Sequence, residues 1–320
     1  MNPESSHPAL ETLPDSFAVW LDDMAMISVS GDERLSYLQG QLTCDINQLP
    51  EAKLLHGAHC DAKGKVFSAF RVFEHEDQVL MLMSKDSASA SLAQLQKFAV
   101  FAKAELVMSP FKMLAVTGGA AESALNKHVG TLPDSDNPVI SSNGVSVIAF
   151  NGHRSGYILV GDEVSLNYIL NALELPCLGG SVWTLLEIVN GFPCLTKNAV
   201  EEYVPQMLNL QAIDGISFTK GCYMGQETVA RMKYLGKNKR AMFALYGNSE
   251  QPIDASSMLE KQLGDNWRRG GNITSLYQAD DGSLYIQAVL ANDTESNDIF
   301  RVKDLNDTVL TQMPLPYVLN

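Results

Sequence analysis

The chain has 320 residues, and its 23 Lys and Arg against 37 Asp and Glu leave a formal net charge of −14. At roughly 150 residues per domain, that length predicts about two domains, each able to bury its own core. So acidic a chain is excluded as a general nucleic-acid coat, DNA included, because such coats gain affinity by neutralising phosphates, and anionic membrane surfaces repel it.

Residues 1–16 are rich in Pro, Ser and Glu and read as a loose lead-in. Ser30-Gly31-Asp32-Glu33 matches a capping box ahead of Leu35, Leu38 and Leu42, which predicts a short helix near 32–41. Ala62-Lys63-Gly64-Lys65 reads as a turn, followed by an extended run through Val66, Phe67, Phe70, Val72 and Phe73. Gln78–Met83 is a further strand, and Asp86 or Ser87 caps a helix bearing Leu92, Leu95 and Phe98. Met113–Thr117 runs through Gly118-Gly119 into a helix near 120–128; without a G-x-G-x-x-G or Walker pattern this is a packing turn. Strands near 144–150 and 157–160 precede helices near 163–173 and 181–190. Beyond about residue 240 the texture changes to short β-like runs: Met242–Tyr246, Ile273–Tyr277, Ser283–Leu290 and Thr308–Gln312. Gly, Asn and Asp turns separate them, which predicts a small antiparallel barrel or sandwich over 241–320.

The N-terminal stretch Met1–Glu11 has two Glu and no Lys or Arg, unlike a secretory signal, and apolar runs such as Val79–Met83 fall far short of the ~20 residues that span a bilayer. The five cysteines (Cys44, Cys60, Cys177, Cys194, Cys222) form no Cys-x-x-Cys. Free thiols in a reducing compartment, the cytoplasm, are therefore expected.

One segment stands apart in charge. Between 218 and 240 lie Lys220, Arg231, Lys233, Lys237, Lys239 and Arg240, opposed by Glu227 alone. Gln226–Tyr234 is predicted helical, with Glu227 at its positive end, Arg231 and Lys233 towards its negative end, and Gly236 as a stop. Cys222 precedes that helix beside Lys220, a setting that favours thiolate and predicts a pKa below the free value of about 8.5. A tight turn around a buried structural cysteine is the competing reading. In the helix from Ser181, Trp183, Leu186, Glu187 and Asn190 share one face. A Trp beside a carboxylate can hold a flat, nitrogen-rich ring, although a helical Trp is more often core. His56-Gly57-Ala58-His59-Cys60-Asp61 crowds ligand types, but nothing completes a tetrahedral zinc set, and strand-edge packing is the reading.

The motif Lys220-Gly221-Cys222-Tyr223-x-Gly225-Gln226-Glu227 resembles the signature of the YgfZ family, folate-binding relatives of the glycine-cleavage T-protein. Tyr37–Asp45, His59–Lys65, Gly191-Phe192-Pro193, Asn209-Leu210-Gln211 and Asn266-Trp267-Arg268-Arg269 are similar to that family too. The resemblance implies an α+β fold: a T-protein/aminomethyltransferase-like folate-binding core over 1–240, in two intertwined subdomains, with a C-terminal antiparallel β-barrel. It implies a cytoplasmic, tetrahydrofolate-linked accessory role supporting iron–sulfur enzymes that modify tRNA, with an influence on replication initiation. Trp183 matches a tryptophan of the family's folate site.

Three departures accompany the likeness. Leu21-Asp22-Asp23 is followed by Met24 where close relatives carry a second folate-site Trp, for which Trp20 is a candidate substitute. The Glu-Ala-Gly of relatives, whose carboxylate holds the pterin in T-proteins, is Val189-Asn190-Gly191, with Glu187 offset by two. Phe67-Ser68 occupy the place of the T-protein Asp pair, which argues against aminomethyl transfer and leaves a folate-dependent one-carbon transferase as the alternative reading. On this reading Cys222 works beside a bound folate whose anionic tail meets a rim of Arg231, Lys233 and Lys237. Direct tRNA binding through 218–240 and Arg268-Arg269 is electrostatically poor for an acidic body unless those charges are concentrated in space.

Overall fold

The computed structural model describes residues 6–236, 238–305 and 307–319. Three sheets meet around one helix. A five-stranded antiparallel sheet has the spatial order Leu54–Cys60, Val66–His75, Gln78–Ser84, Met24–Ser30, Glu105–Met108. A six-stranded sheet has the order Cys177–Leu178, Phe17–Trp20, Lys112–Thr117, Gly156–Gly161, Val145–Phe150, Val139–Ser142. The third closes on itself as a barrel: Arg240–Asn248, Ser283–Ala291, Asn266–Gln278, Met258–Leu263, Phe300–Val302 and Leu310–Met313, the last pairing back to the first. The fold is thus α+β with a C-terminal antiparallel barrel. Closure leaves that sheet no open edge.

Ser181–Val189 is the helix at the junction, and all its side chains except Ser181 and Thr184 are buried. A helix apolar on every side must be enclosed on every side. It therefore packs against the barrel strands Asn266–Gln278 and Ser283–Ala291 and shares one core with Phe17, Met24, Met26 and Tyr285. Its end is fixed by a Schellman closure: the N–H of Gly191 donates to Ile188 O and that of Phe192 to Glu187 O, with Gly191 at φ +66.

Three local expectations are corrected. The lead-in is tied down from His7 onward: Leu10 and Leu13 are buried, the Leu10 N–H donates to the Tyr285 hydroxyl (3.0 Å), and the Tyr277 hydroxyl to Pro8 O (2.8 Å). The first helix is Arg34–Gln39 without a side-chain cap, because the Glu33 carboxylate instead accepts the Lys103 N–H (2.8 Å). The helix Lys85–Phe98 begins after Ser84, and the Asp86 carboxylate reaches across to the Lys197 N–H (3.0 Å) rather than capping it.

Candidate functional site

The segment Ser217–Gly236 latches onto the turn Ala62–Lys65. Gly225 has φ +80, and a Cβ there would lie 2.5 Å from Asp61 O and 2.8 Å from Gly64 Cα. Two backbones thus meet at a distance only glycine permits. The Met224 N–H donates to Gly40 O (3.0 Å), and the Gln206 amide to Val229 O (2.7 Å). Lys220 is buried, and its Nζ donates to Leu42 O at 2.9 Å and Cys44 O at 2.7 Å. Burial brings its pKa down to about 8. Tyr223 is buried beside it, and desolvation pushes its hydroxyl up.

Lys220 is therefore not the partner of Cys222 that adjacency suggests: its ammonium is spent on carbonyls inside the protein. Cys222 itself is exposed, and a Cβ on the neighbouring Gly221 would meet nothing within 4 Å. Of the five cysteines it alone is exposed; burial holds Cys44 and Cys194 up at about 12 and raises Cys60 and Cys177 as well. The helix forms as read, over Gln226–Tyr234, with Leu235 and Gly236 both donating to Arg231 O at its end. The Gln226 amide closes on Gly221 O (3.4 Å), Glu227 and Arg231 are exposed, and the Lys233 ammonium sits 3.6 Å over the Phe218 ring. Lys237 lies outside the described residues.

The second element of the site is a cavity of about 290 Å³ walled by Leu54, His56, Arg71, Phe150, Asn190 and Phe192. Arg71 rises from the strand Val66–His75 and meets Glu187 of the central helix, Nη1 at 3.1 Å from Oε2 and Nη2 at 3.0 Å from Oε1. Both side chains are buried, and the Oε1 contact lacks hydrogen-bond alignment. Burial raises the Glu187 pKa while Arg71 opposes the rise. The guanidinium also lies 3.7 Å over the Phe192 ring and 5.9 Å from that of Trp183.

Trp183 is buried edge-on to Phe150 at 5.2 Å, and its Nε1–H has no hydrogen-bond partner. His56 Nδ1 lies 3.1 Å from Ile213 O, and burial together with Arg71 brings its pKa down to about 4. It is neutral at pH 7, with Nδ1–H donating to that carbonyl and Nε2 left as an acceptor. Asn190 pairs with the Arg154 backbone in both directions (3.1 and 3.0 Å) and so pins the loop 151–155 as a wall.

Several expected partners are not brought together. Trp20 packs with Ala18, Leu114 and Val116, on the face of its strand opposite Val19 and the core that holds Trp183. Met24 and Val189 are both buried in the Trp183 core. Cys222, Arg231 and Lys233 do not line the cavity; the cation that does is Arg71. His56 and His59 point to opposite sides of their strand, one to Ile213 and one to Ser91 (2.9 Å), so they do not share a metal. Ser68 is buried and donates to Ser91 (3.0 Å), and Phe67 packs on His59, so no carboxylate stands at either position. Arg71 escapes the sequence reading, which takes His56 as strand-edge packing and Asn190 only as a neighbour of Trp183 on one helix face. The available signal was a lone Arg inside the apolar strand Val66–Phe73 and a lone Glu inside an apolar helix, two opposite charges that burial obliges to meet.

A family model described as "YgfZ, beta-barrel domain" matches residues 238–305. The tRNA-modifying protein YgfZ of Colwellia psychrerythraea is 49% identical over 313 residues, covering 98% of this chain and 96% of that protein. The protein of the same name from Klebsiella pneumoniae is 39% identical over 302 residues, covering 93% and 92%. Among solved structures, the glycine cleavage system aminomethyltransferase T from Bartonella henselae matches with TM-score 0.71 over 97% of this chain and 88% of its own, at 15% identity. That likeness speaks for the fold alone.

Proposed function

The chain belongs to the YgfZ family, and from that premise we propose that it is a tetrahydrofolate-binding accessory factor for tRNA modification, acting alongside cytoplasmic iron–sulfur enzymes. The observation that carries the folate reading is a cavity faced by Phe150, Phe192 and the Glu187-held Arg71 guanidinium, with Trp183 packed edge-on against Phe150 of that wall. At about 290 Å³ the space sits at the lower end of the ~300–1,000 Å³ typical of small-molecule sites. A fused heteroaromatic ring fits such a site, with its conjugate chain running outward.

The residues fit a pterin in kind. The Phe150 and Phe192 rings offer apolar wall, and the Glu187-anchored guanidinium fixes a positive charge there. When bound, a reduced folate supplies a carrier for one-carbon units or a source of reducing hydrogens. Arg71 orients it, Glu187 holds Arg71, and Asn190 keeps the 151–155 loop closed against water. Cys222, exposed on the outer surface, serves as the thiol that a partner enzyme can reach for iron, sulfur or reversible oxidation. With Phe67 and Ser68 at the T-protein carboxylate positions, no aminomethyl transfer is assigned.

Tetrahydrofolate titration followed by tryptophan fluorescence tests the cavity. Saturable quenching that is lost in Trp183→Phe is expected. Fluorescence unchanged at millimolar ligand removes folate from the account.

A further inference from the structure

We propose that the chain binds RNA directly, through a basic face on which Lys63, Lys65, Arg231, Lys233, Arg240 and Arg269 take hold of the phosphate backbone. Three stretches remote in sequence converge there. Gly64 packs on the helix Gln226–Tyr234, since a Cβ on it would lie 3.0 Å from Thr228 Cβ, and this sets Lys63 and Lys65 beside the helix of Arg231 and Lys233. Lys65 Nζ donates to Glu202 O (2.6 Å), and the neighbouring Tyr203 hydroxyl lies within the fields of both Arg240 and Arg269. Arg269 donates to Asn272 (3.3 Å). Asn238 donates to Gln206 O (3.0 Å) and Gln206 to Val229 O (2.7 Å), which binds the start of the Arg240 strand back to the helix.

None of the six cations forms an ion pair with a carboxylate among the described residues. The acids near them include exposed Glu201, Glu202, Glu227 and Asp293, and Glu260, which lies across the strand from Arg269 and pairs with Arg301. Asp61 is occupied by the N–H groups of Lys63 and Lys65 (2.9 and 2.7 Å). The −14 of the whole chain does not cancel this face: the Debye length is about 8 Å at physiological salt, so a ligand at the surface feels the local charge. Unpaired cations spread over a ridge suit a partner with evenly repeated negative charge. Tyr234, 65% exposed beside Lys233, adds a surface on which a base can stack. An acidic protein would want an apolar anchor pocket among the cations, whereas Tyr234 and Leu235 on this stretch stand out from the surface, 65% and 85% exposed. This face shares none of these residues with the cavity wall, so the inference stands without the folate reading.

The test is fluorescence anisotropy of a labelled unmodified tRNA transcript with the full chain across a sodium chloride series, with and without tetrahydrofolate. Saturable binding is expected at 50 mM salt, with a log–log slope of about −4 to −5 if the six cations each meet a phosphate. Arg240→Gln with Arg269→Gln should weaken binding at least tenfold at 100 mM and shallow the slope by about 2. The paired Lys replacements should restore most of the slope, and Lys112→Gln with Lys127→Gln, on the six-stranded sheet and its helix, should change nothing. Circular dichroism checks that each variant is folded. Absence of binding at 50 mM salt, or a slope untouched by the double Gln variant, overturns the proposal. So does polyglutamate competing as well as tRNA per charge, which would assign the face to an acidic protein.

Discussion

The helix Ser181–Val189 buries all but two of its nine side chains, whereas the helix Gln226–Tyr234 buries only Val229. In the first, the one charged residue, Glu187, is answered at once by Arg71 at 3.0–3.1 Å. In the second, Glu227, Arg231 and Lys233 are exposed and no carboxylate pairs with the two cations among the described residues. The segment before the second helix contains both regimes within three residues. Lys220 is sunk against two carbonyls and Cys222 is held out in solvent. Charge that a fold buries must be compensated, so it reports on architecture. Charge and thiol left uncompensated at the surface cost the fold nothing and are available to a partner.

Breaking the pairing in the central helix should have the largest effect. Glu187→Ala strands the Arg71 guanidinium in the core, and removing one partner of a buried pair costs about 3–5 kcal/mol. Urea unfolding should show that loss, while Glu187→Leu with Arg71→Met should recover a large part of it. A double variant as unstable as Glu187→Ala would mean that packing, not the stranded charge, sets the cost.

The latch comes next. Lys220→Met leaves Leu42 O and Cys44 O without their donor, a loss of about 2 kcal/mol near neutrality. The pH dependence separates this from lost packing. With the folded pKa lowered to about 8 from the usual 10.5, the unfolded chain keeps the Lys220 proton longer between those values. Native stability therefore gains about 1–3 kcal/mol from this group as pH rises from 8 to 10.5, a gain the Met variant lacks. Parallel stability–pH curves for the two proteins would show that the buried ammonium is not the determinant.

The legible parts of this molecule are those where local chemistry acts alone. Gln226–Tyr234 has a left-handed glycine ahead of it, an acid at its head and bases at its tail, and it forms over the residues read from sequence. Strands such as Lys112–Thr117 and Ser283–Ala291 are dense in β-forming side chains bounded by turns. The strands Phe17–Trp20 and Glu105–Met108 escape a sequence reading, because four residues carry too little periodicity to separate from loop. Side-chain direction was the other blind spot. Adjacency set Lys220 beside Cys222, but the backbone turns one inward and the other outward, a difference written only in what each residue packs against. Likewise Trp20 and Trp183 look interchangeable as aromatic ligands of a ring, yet alternation along Phe17–Trp20 sends Trp20 to the opposite side of its sheet. The cavity joins Arg71, Phe150 and Asn190 from segments far apart in the chain, so no window of sequence contains it.

The smallest effect on stability and the sharpest on function should come from Cys222→Ser. The thiol is exposed and the flanking Gly221 faces open space, so the substitution removes no contact that the fold uses. Surface changes of that kind stay within about 0.5 kcal/mol. Urea midpoints of wild type and variant should coincide, and tetrahydrofolate titration should be unchanged because Cys222 does not line the cavity. Complementation of a strain lacking the native protein should nevertheless fail, read by mass spectrometry as loss from bulk tRNA of a nucleoside whose modification, such as thiolation, depends on iron–sulfur enzymes. Normal thiolation in the variant would place Cys222 among the exposed residues that tolerate exchange. The functional content of the segment would then rest on its cations alone.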